Sequence, residues 1–249
     1  MLYTEPKVTL LARPYFEEPE HLPIEWKGDA TDGEALIEYS GRLCYMSQAN
    51  PAGRTTAEYI ENIKKQAHGS VLEHATYSFL IEGVSRSLTH ELVRHRAGFA
   101  YSQLSQRYVD ESQADFVIPP ALLGEDALQL RWHDQVTAAQ ACYVELVEEL
   151  VERYAHVSDK TLRRKMAREA ARSVLPNATE TKIVATANCR AWRTALELRC
   201  GEGADAEIRR LALVLLGMLQ VEAPSVFADF EYLTNAAGVR YAAPRYHKV

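Results

Sequence analysis

Arg94-His95-Arg96 is followed, after eight residues, by Ser105-Gln106-Arg107-Tyr108, so three arginines and a histidine crowd into one short stretch. With Ser102, Gln103 and Ser105 they offer many hydrogen-bond donors and a local positive charge, a combination suited to a phosphate or a polar heterocycle. The same composition is equally that of a solvated basic patch. Two further clusters favour a ligand. Arg168 and Arg172 stand four residues apart, on one face of a predicted helix, a pattern that taken alone marks a solvated surface. Arg199 lies seven residues after Trp192 and three after Leu196, so it projects from an apolar stripe. A charge buried there is costly unless an anion or polar ligand meets it, and snorkelling to solvent is the alternative.

Other chemistries fit less well. His90-Glu91-Leu92-Val93-Arg94-His95 looks superficially like a zinc-protease helix, but its histidines are five apart rather than four and so point to different faces. No other His or Cys pair has ligand spacing, so no metal site is expected. Cys44, Cys142, Cys189 and Cys200 are scattered, form no Cys-x-x-Cys pair and sit in no recognisable nucleophile context. They read as reduced packing thiols.

The elements that must position these residues follow from periodicity. Residues 8–13 read as a strand, and Asp32 opens a helix carrying Leu36, Ile37, Tyr39, Leu43 and Cys44 at roughly helical spacing. A helix over 56–67 stops at His68-Gly69-Ser70, glycine being a natural terminator. Residues 76–84 favour a strand, and Ser85 suits the N-cap of a helix through Leu88, Leu92 and His95. The longest predicted helix, 125–155, repeats Leu128, Trp132, Val136, Ala139, Tyr143, Leu146, Leu150 and Tyr154 at steps of three or four, a stripe for a core or a subunit interface. A helix over 158–175 ends before Pro176, a strand covers 179–186, and helices follow near 188–199 and 205–222. With no repeat or linker, the pattern predicts one α+β domain over 1–249, its tail after Tyr232 undetermined.

Composition narrows the class. Of 249 residues 47% are hydrophobic and 25% charged, enough for a sizeable core in one large domain. The net charge of -6 opposes nonspecific attraction to nucleic acid or anionic membrane, so any anion site must be local. No segment approaches the ~20 apolar residues that span a bilayer, and residues 1–11 show no signal-peptide pattern, which places the chain in the cytoplasm.

Taken together, the motifs resemble one family. Arg94-His95-Arg96 with Ser105 is similar to the motif of flavin-dependent thymidylate synthases, and His68-Gly69-Ser70-Val71-Leu72-Glu73-His74 looks like that family's upstream element. Arg172-Ser173-Val174-Leu175-Pro176, Asn188-Cys189-Arg190 and Leu198-Arg199 follow in family order, and the resemblance spans residues 41–230. It implies a mostly antiparallel sheet flanked by helices, assembled as a homotetramer with shared active sites. It implies reductive methylation of dUMP to dTMP, with FAD as cofactor and 5,10-methylenetetrahydrofolate and NADPH as co-substrates. Ser70, Arg94, His95, Arg96, Asn188 and Arg190 would bind FAD. Glu91, Arg94, Gln103, Ser105, Gln106, Arg107, Arg172 and Arg199 would bind dUMP, with Arg199 as the catalytic residue.

The chain departs from the family pattern in three places. The spacer between Arg96 and Ser105 is eight residues rather than the commoner seven, a surplus that a bulge at Gly98 could absorb. Thr194 and Gly203 stand where many relatives carry larger polar or imidazole side chains, and no role is carried onto them. Two rival functions remain: a nucleic-acid binder using Arg94, Arg96, Arg107, Arg163, Arg164, Lys165 and Arg168, against which the acidic charge counts, and a flavoprotein of this fold acting on another nucleotide.

Overall fold

The computed structural model describes residues 2–3 and 5–249. Its elements are β1 (Leu2–Tyr3), β2 (Lys7–Ala12), α1 (Asp32–Leu43), α2 (Thr56–Lys65), β3 (Thr76–Ser85), α3 (Arg86–Leu92), β4 (Phe99–Gln103), β5 (Phe116–Val117), α4 (Asp126–Arg153), α5 (Lys160–Ala171), β6 (Glu180–Asn188), α6 (Cys189–Arg199), α7 (Ala206–Glu222), α8 (Pro224–Phe227), β7 (Phe230–Thr234) and β8 (Arg240–Pro244). Four strands form a sheet in the order β2-β3-β6-β4; β1 pairs in parallel with β5, and β7 with β8 as an antiparallel hairpin. The α+β class read from the sequence is the class observed.

The chain gathers into two compact units, each built from separate segments. The first takes the N-terminal stretch to Lys7, Ile81–Leu92 and Ser102–Ile183; the second takes Val8–Leu80, Val93–Tyr101 and Val184–Val249. In the first, Ile81, Val84, Leu88, Phe116, Tyr143 and Ile183 are buried. In the second, Ile37, Ile60, Leu72, Phe79, Trp192, Leu196, Leu216 and Phe227 are buried.

Local chemistry explains where several elements begin and end. A reciprocal capping box starts α1: the Thr31 hydroxyl accepts from Glu34 N, and the Glu34 carboxylate accepts from Thr31 N. Its buried face differs from the expected apolar stripe. Of the five stripe residues only Ile37 is buried, whereas Glu34, Glu38 and Arg42 are, and Leu43 and Cys44 are exposed. The reason is close approach: a Cβ on Gly33 or Gly41 would stand 2.2 Å from the hydroxyl of Tyr77 or Tyr59. The buried charges answer one another, since Arg42 Nε donates to Glu38 Oε1 at 2.7 Å and Glu34 Oε1 accepts from Ser225 N.

Three expected boundaries move. Helix α2 ends at Lys65, and the left-handed residue after it is Ala67 (φ 54°) rather than a glycine. Ser85 does cap α3, its hydroxyl accepting from Leu88 N at 3.0 Å, but the helix stops at Leu92, so His95 lies beyond it. Helix α5 ends at Ala171, with Arg172 as its C-cap: the Arg172 N–H still donates to the Arg168 carbonyl, and a tight turn, Arg172–Val174, follows. The tail after Tyr232 is ordered. It closes the β7–β8 hairpin through Asn235, whose side-chain oxygen accepts from Ala237 N and Val239 N, with Gly238 at φ 78°.

Charge is also buried in the second unit. Both Nη groups of Arg193 donate to the Asp229 carboxylate at 2.7 and 2.9 Å, and Lys64 Nζ donates to the same group at 2.9 Å. Burial raises the Asp229 pKa, but the hydrogen bonds and charges of Arg193 and Lys64 outweigh it and hold the carboxyl below its usual range. In the first unit, α4 buries only Val136 and Tyr143 along its length, with Leu128 and Leu130 exposed.

Candidate functional site

In the second unit, the end of β6 and the start of α6 face the loop before β4. Asn188 is the N-cap of α6, its side-chain oxygen accepting from Ala191 N at 2.9 Å. The loop turns sharply at Gly98, which has a φ of 76° and where a Cβ would stand 2.8 Å from Ala191 Cβ and 2.9 Å from Asn188 Nδ2. Only glycine fits both the conformation and the gap. The turn at Gly98 lies within the spacer, which then runs into β4, a strand the periodicity did not show.

Between these elements lies a cleft of about 310 Å³ walled by Glu73, His95, Arg96, Asn188, Arg190 and Thr194. Arg190 donates through Nη1 to Glu73 at 2.7 Å, and the Thr194 hydroxyl donates to the Arg190 carbonyl. Arg190 also borders a second cleft of about 350 Å³ with Ser70, His68, Tyr59, Tyr45 and Cys44. The structure thus brings His95, Arg96, Asn188 and Arg190 to one cleft and places Ser70 on its neighbour.

Arg199 closes α6, and its Nε donates to His95 Nε2 at 3.0 Å. The histidine is half-buried, and burial, followed by the charges of Arg199 and Arg94, lowers its pKa from the ordinary 6.5. Its backbone carbonyl accepts from the Tyr101 hydroxyl at 2.9 Å. Behind it, Phe99 stacks on Tyr101 and meets the buried Trp192 edge-on at 4.9 Å.

The first unit holds most of the residues expected to contact a nucleotide. The Gln103 amide donates to the hydroxyls of Thr89 and Thr181 at 3.0 and 3.3 Å. Ser105 begins a turn in which its carbonyl accepts from Tyr108 N and Val109 N and its hydroxyl from Arg107 N. Arg107 meets Glu169 at 3.4 Å, and Arg168 meets Asp110 at 2.8 Å. Gln106 is buried, its Nε2 without a hydrogen-bond partner among the described residues. Glu91 is half-buried and Arg172 exposed in this unit, while Arg94 and Arg199 belong to the second.

Two polar residues here escaped the sequence reading. Glu111 is buried, with Oε1 unpartnered among the described residues, and its carboxyl is pushed up to about 7, mainly by burial and further by Glu180 and Asp110, against the opposing charge of Arg86. Arg86 is half-buried, and burial and the charge of Arg172 lower its pKa. Nothing in their local spacing marks either one. Among the described residues, no group of three or more His, Cys, Asp or Glu is placed to hold a metal ion, and no helix is long and apolar enough to cross a membrane.

The family model described as thymidylate synthase complementing protein matches residues 28–225, most of the chain and all the motif residues above. The chain belongs to this family. A flavin-dependent thymidylate synthase of Mycobacterium avium is 50% identical over 238 residues, covering 95% of this chain and 94% of that protein. The Mycolicibacterium gilvum protein of the same name is 49% identical over the same length. Among solved structures, a UMP/dUMP methylase, PolB from Streptomyces cacaoi bound with 5-Br dUMP, superposes with a TM-score of 0.66 over 91% of this chain and 95% of its own. At 22% identity that likeness speaks to the fold of this thymidylate synthase complementing protein family member.

Proposed function

We propose that the protein catalyses the flavin-dependent reductive methylation of dUMP. On this reading dUMP, 5,10-methylenetetrahydrofolate, NADPH and a proton give dTMP, tetrahydrofolate and NADP⁺. The observation that carries it is the cleft where Arg96, Asn188 and Arg190 converge beside a histidine bonded to Arg199, in a chain of this family. The donor set fits FAD: guanidinium and amide groups line one cleft, Arg190 also borders the neighbouring cleft that holds Ser70, and a dinucleotide cofactor carries a doubly anionic diphosphate. FAD, when bound, supplies the redox chemistry. Ser70, Arg94, His95, Arg96, Asn188 and Arg190 are assigned to it.

Glu91, Arg94, Gln103, Ser105, Gln106, Arg107, Arg172 and Arg199 are assigned to dUMP. Its phosphate suits the exposed Arg172, whose guanidinium can donate two parallel bonds. Arg199 faces the uracil and stabilises negative charge that develops there, which makes it the catalytic residue. The thiols support a mechanism without a cysteine nucleophile. Burial pushes Cys189 far up and Cys200 up to about 12, so both stay protonated at neutral pH. All four cysteines are free and Cys44 is exposed, which supports a reducing, cytoplasmic compartment. The sparsely buried α4 supports a homotetramer with shared sites.

An anaerobic assay with FAD, NADPH, 5,10-methylenetetrahydrofolate and dUMP tests the reading. It requires dTMP from the complete mixture and none when the folate or the reductant is left out. A folded, flavin-loaded protein that makes no dTMP would overturn it.

A further inference from the structure

We propose that His95 is a positioning residue for Arg199, its Nε2 acting as the hydrogen-bond acceptor that fixes the plane of the catalytic guanidinium. The role of Arg199 rests on the function proposed above; the contact does not. A guanidinium only donates, so the 3.0 Å bond from Arg199 Nε requires Nε2 of the ring to be unprotonated. The neutral ring therefore carries its hydrogen on Nδ1. Nε is the donor nearest the aliphatic stem, and anchoring it sets the direction of the two Nη groups beyond.

The ring is itself held in place. Phe99 lies 6.0 Å from it, backed by the buried Trp192, and the Tyr101 hydroxyl holds the His95 carbonyl. The acceptor is thus presented by a fixed scaffold. The charged groups that face the imidazole act in one direction: Arg199 from α6 and Arg94 from its own segment disfavour the imidazolium, as burial does. Glu73, Arg96 and Arg190 stand around the same cleft, where Glu73 is bonded to Arg190. Burial raises the pKa of Tyr101, which stays a neutral donor. The bond is therefore intact at neutral pH. Acid converts Nε2 from acceptor to donor and sets two cations against each other, which releases Arg199.

Two sets of measurements test this. Histidine-selective ¹⁵N NMR of the FAD-loaded protein should show His95 with Nε2 unprotonated at pH 7 and titrating below 6.5, and Arg199→Ala should move that titration upward. A ring protonated on Nε2, or a titration that Arg199→Ala leaves unmoved, overturns the proposal whether or not the protein makes dTMP. Turnover at saturating dUMP and excess FAD supplies the second arm. His95→Leu should lose turnover on the order of 10- to 100-fold, the worth of a hydrogen bond to a charged group. His95→Gln, with an amide oxygen near the place of Nε2 and no titration, should keep more turnover and lose the acid limb of the pH profile. A purely flavin-binding role predicts that excess FAD restores His95→Leu to wild type, and that result would refute positioning.

Discussion

Arg193 is 3% exposed with both Nη groups on Asp229, and Arg199 is bonded through Nε to His95, whereas Arg107 reaches Glu169 only at 3.4 Å with both side chains open to solvent. In the second unit Arg193 and Arg199 are held by partners brought from far along the chain, in places where water screens little. In the first, Arg107 and Arg168 pair with the exposed carboxylates of Glu169 and Asp110, for which water and salt compete. An arginine held the first way has its charge set before any ligand arrives. An arginine held the second way adjusts to a ligand, and so would act on binding more than on a chemical step.

The sharpest test of the contrast removes a buried anion. Asp229→Ala leaves Arg193 and Lys64 buried and uncompensated, and should lower stability by about 3–5 kcal/mol in chemical denaturation. A loss below about 1 kcal/mol would erase the distinction between the units. Next comes Arg199→Ala, expected to reduce turnover at saturating dUMP on the order of 10²- to 10³-fold, with partial rescue by lysine, which keeps the charge but not the planar fork. Arg172→Ala should instead raise the dUMP concentration needed while turnover recovers at saturation. Full recovery of Arg199→Ala at high dUMP would place both arginines in the adjustable class.

Glu111 gives a smaller effect with a defined pH window. Its folded pKa of about 7 lies above the ordinary 4.5, so the stability it contributes is fully present below about pH 4.5 and is lost as pH rises through 7. Glu111→Gln should remove that loss, flattening the thermal midpoint between pH 5 and 8 by an amount worth on the order of 2–3 kcal/mol. An unchanged pH profile would mean that Arg86 holds the carboxylate ionised. Smallest of all, Glu169→Ala breaks only an exposed pair and should alter stability by less than about 1 kcal/mol, an effect that fades in salt.

Much of the fold was legible because its signals are local. The strand over β3, the cap at Ser85, the starts of α6 and α7 near Asn188 and Asp205 and the length of α4 follow from residue types within a few positions of one another. What escaped depends on distant pairings. The polar buried face of α1 needs Tyr59, Tyr77 and Ser225, and the Arg193–Asp229–Lys64 cluster joins three separate segments. Strand β4 was hidden inside a motif read for its chemistry, and the hairpin after Phe230 has too short a period to stand out. At the candidate site, residue types marked Arg199 as unusual, but only the fold shows that its Nε rests on His95, 104 positions earlier.

The turn at Gly98 has a consequence for how this chain can vary over generations. Any side chain there meets both the left-handed backbone and the atoms of Ala191 and Asn188, so no single-base change at that codon yields a residue that fits. Gly203, exposed and with nothing within 4 Å of its absent Cβ, carries neither constraint. In a library randomised at both codons and selected for growth without added thymidine, surviving lineages should keep a single letter at position 98 and drift freely at position 203. The gene would thus carry a record of backbone geometry at one glycine and of almost nothing at the other.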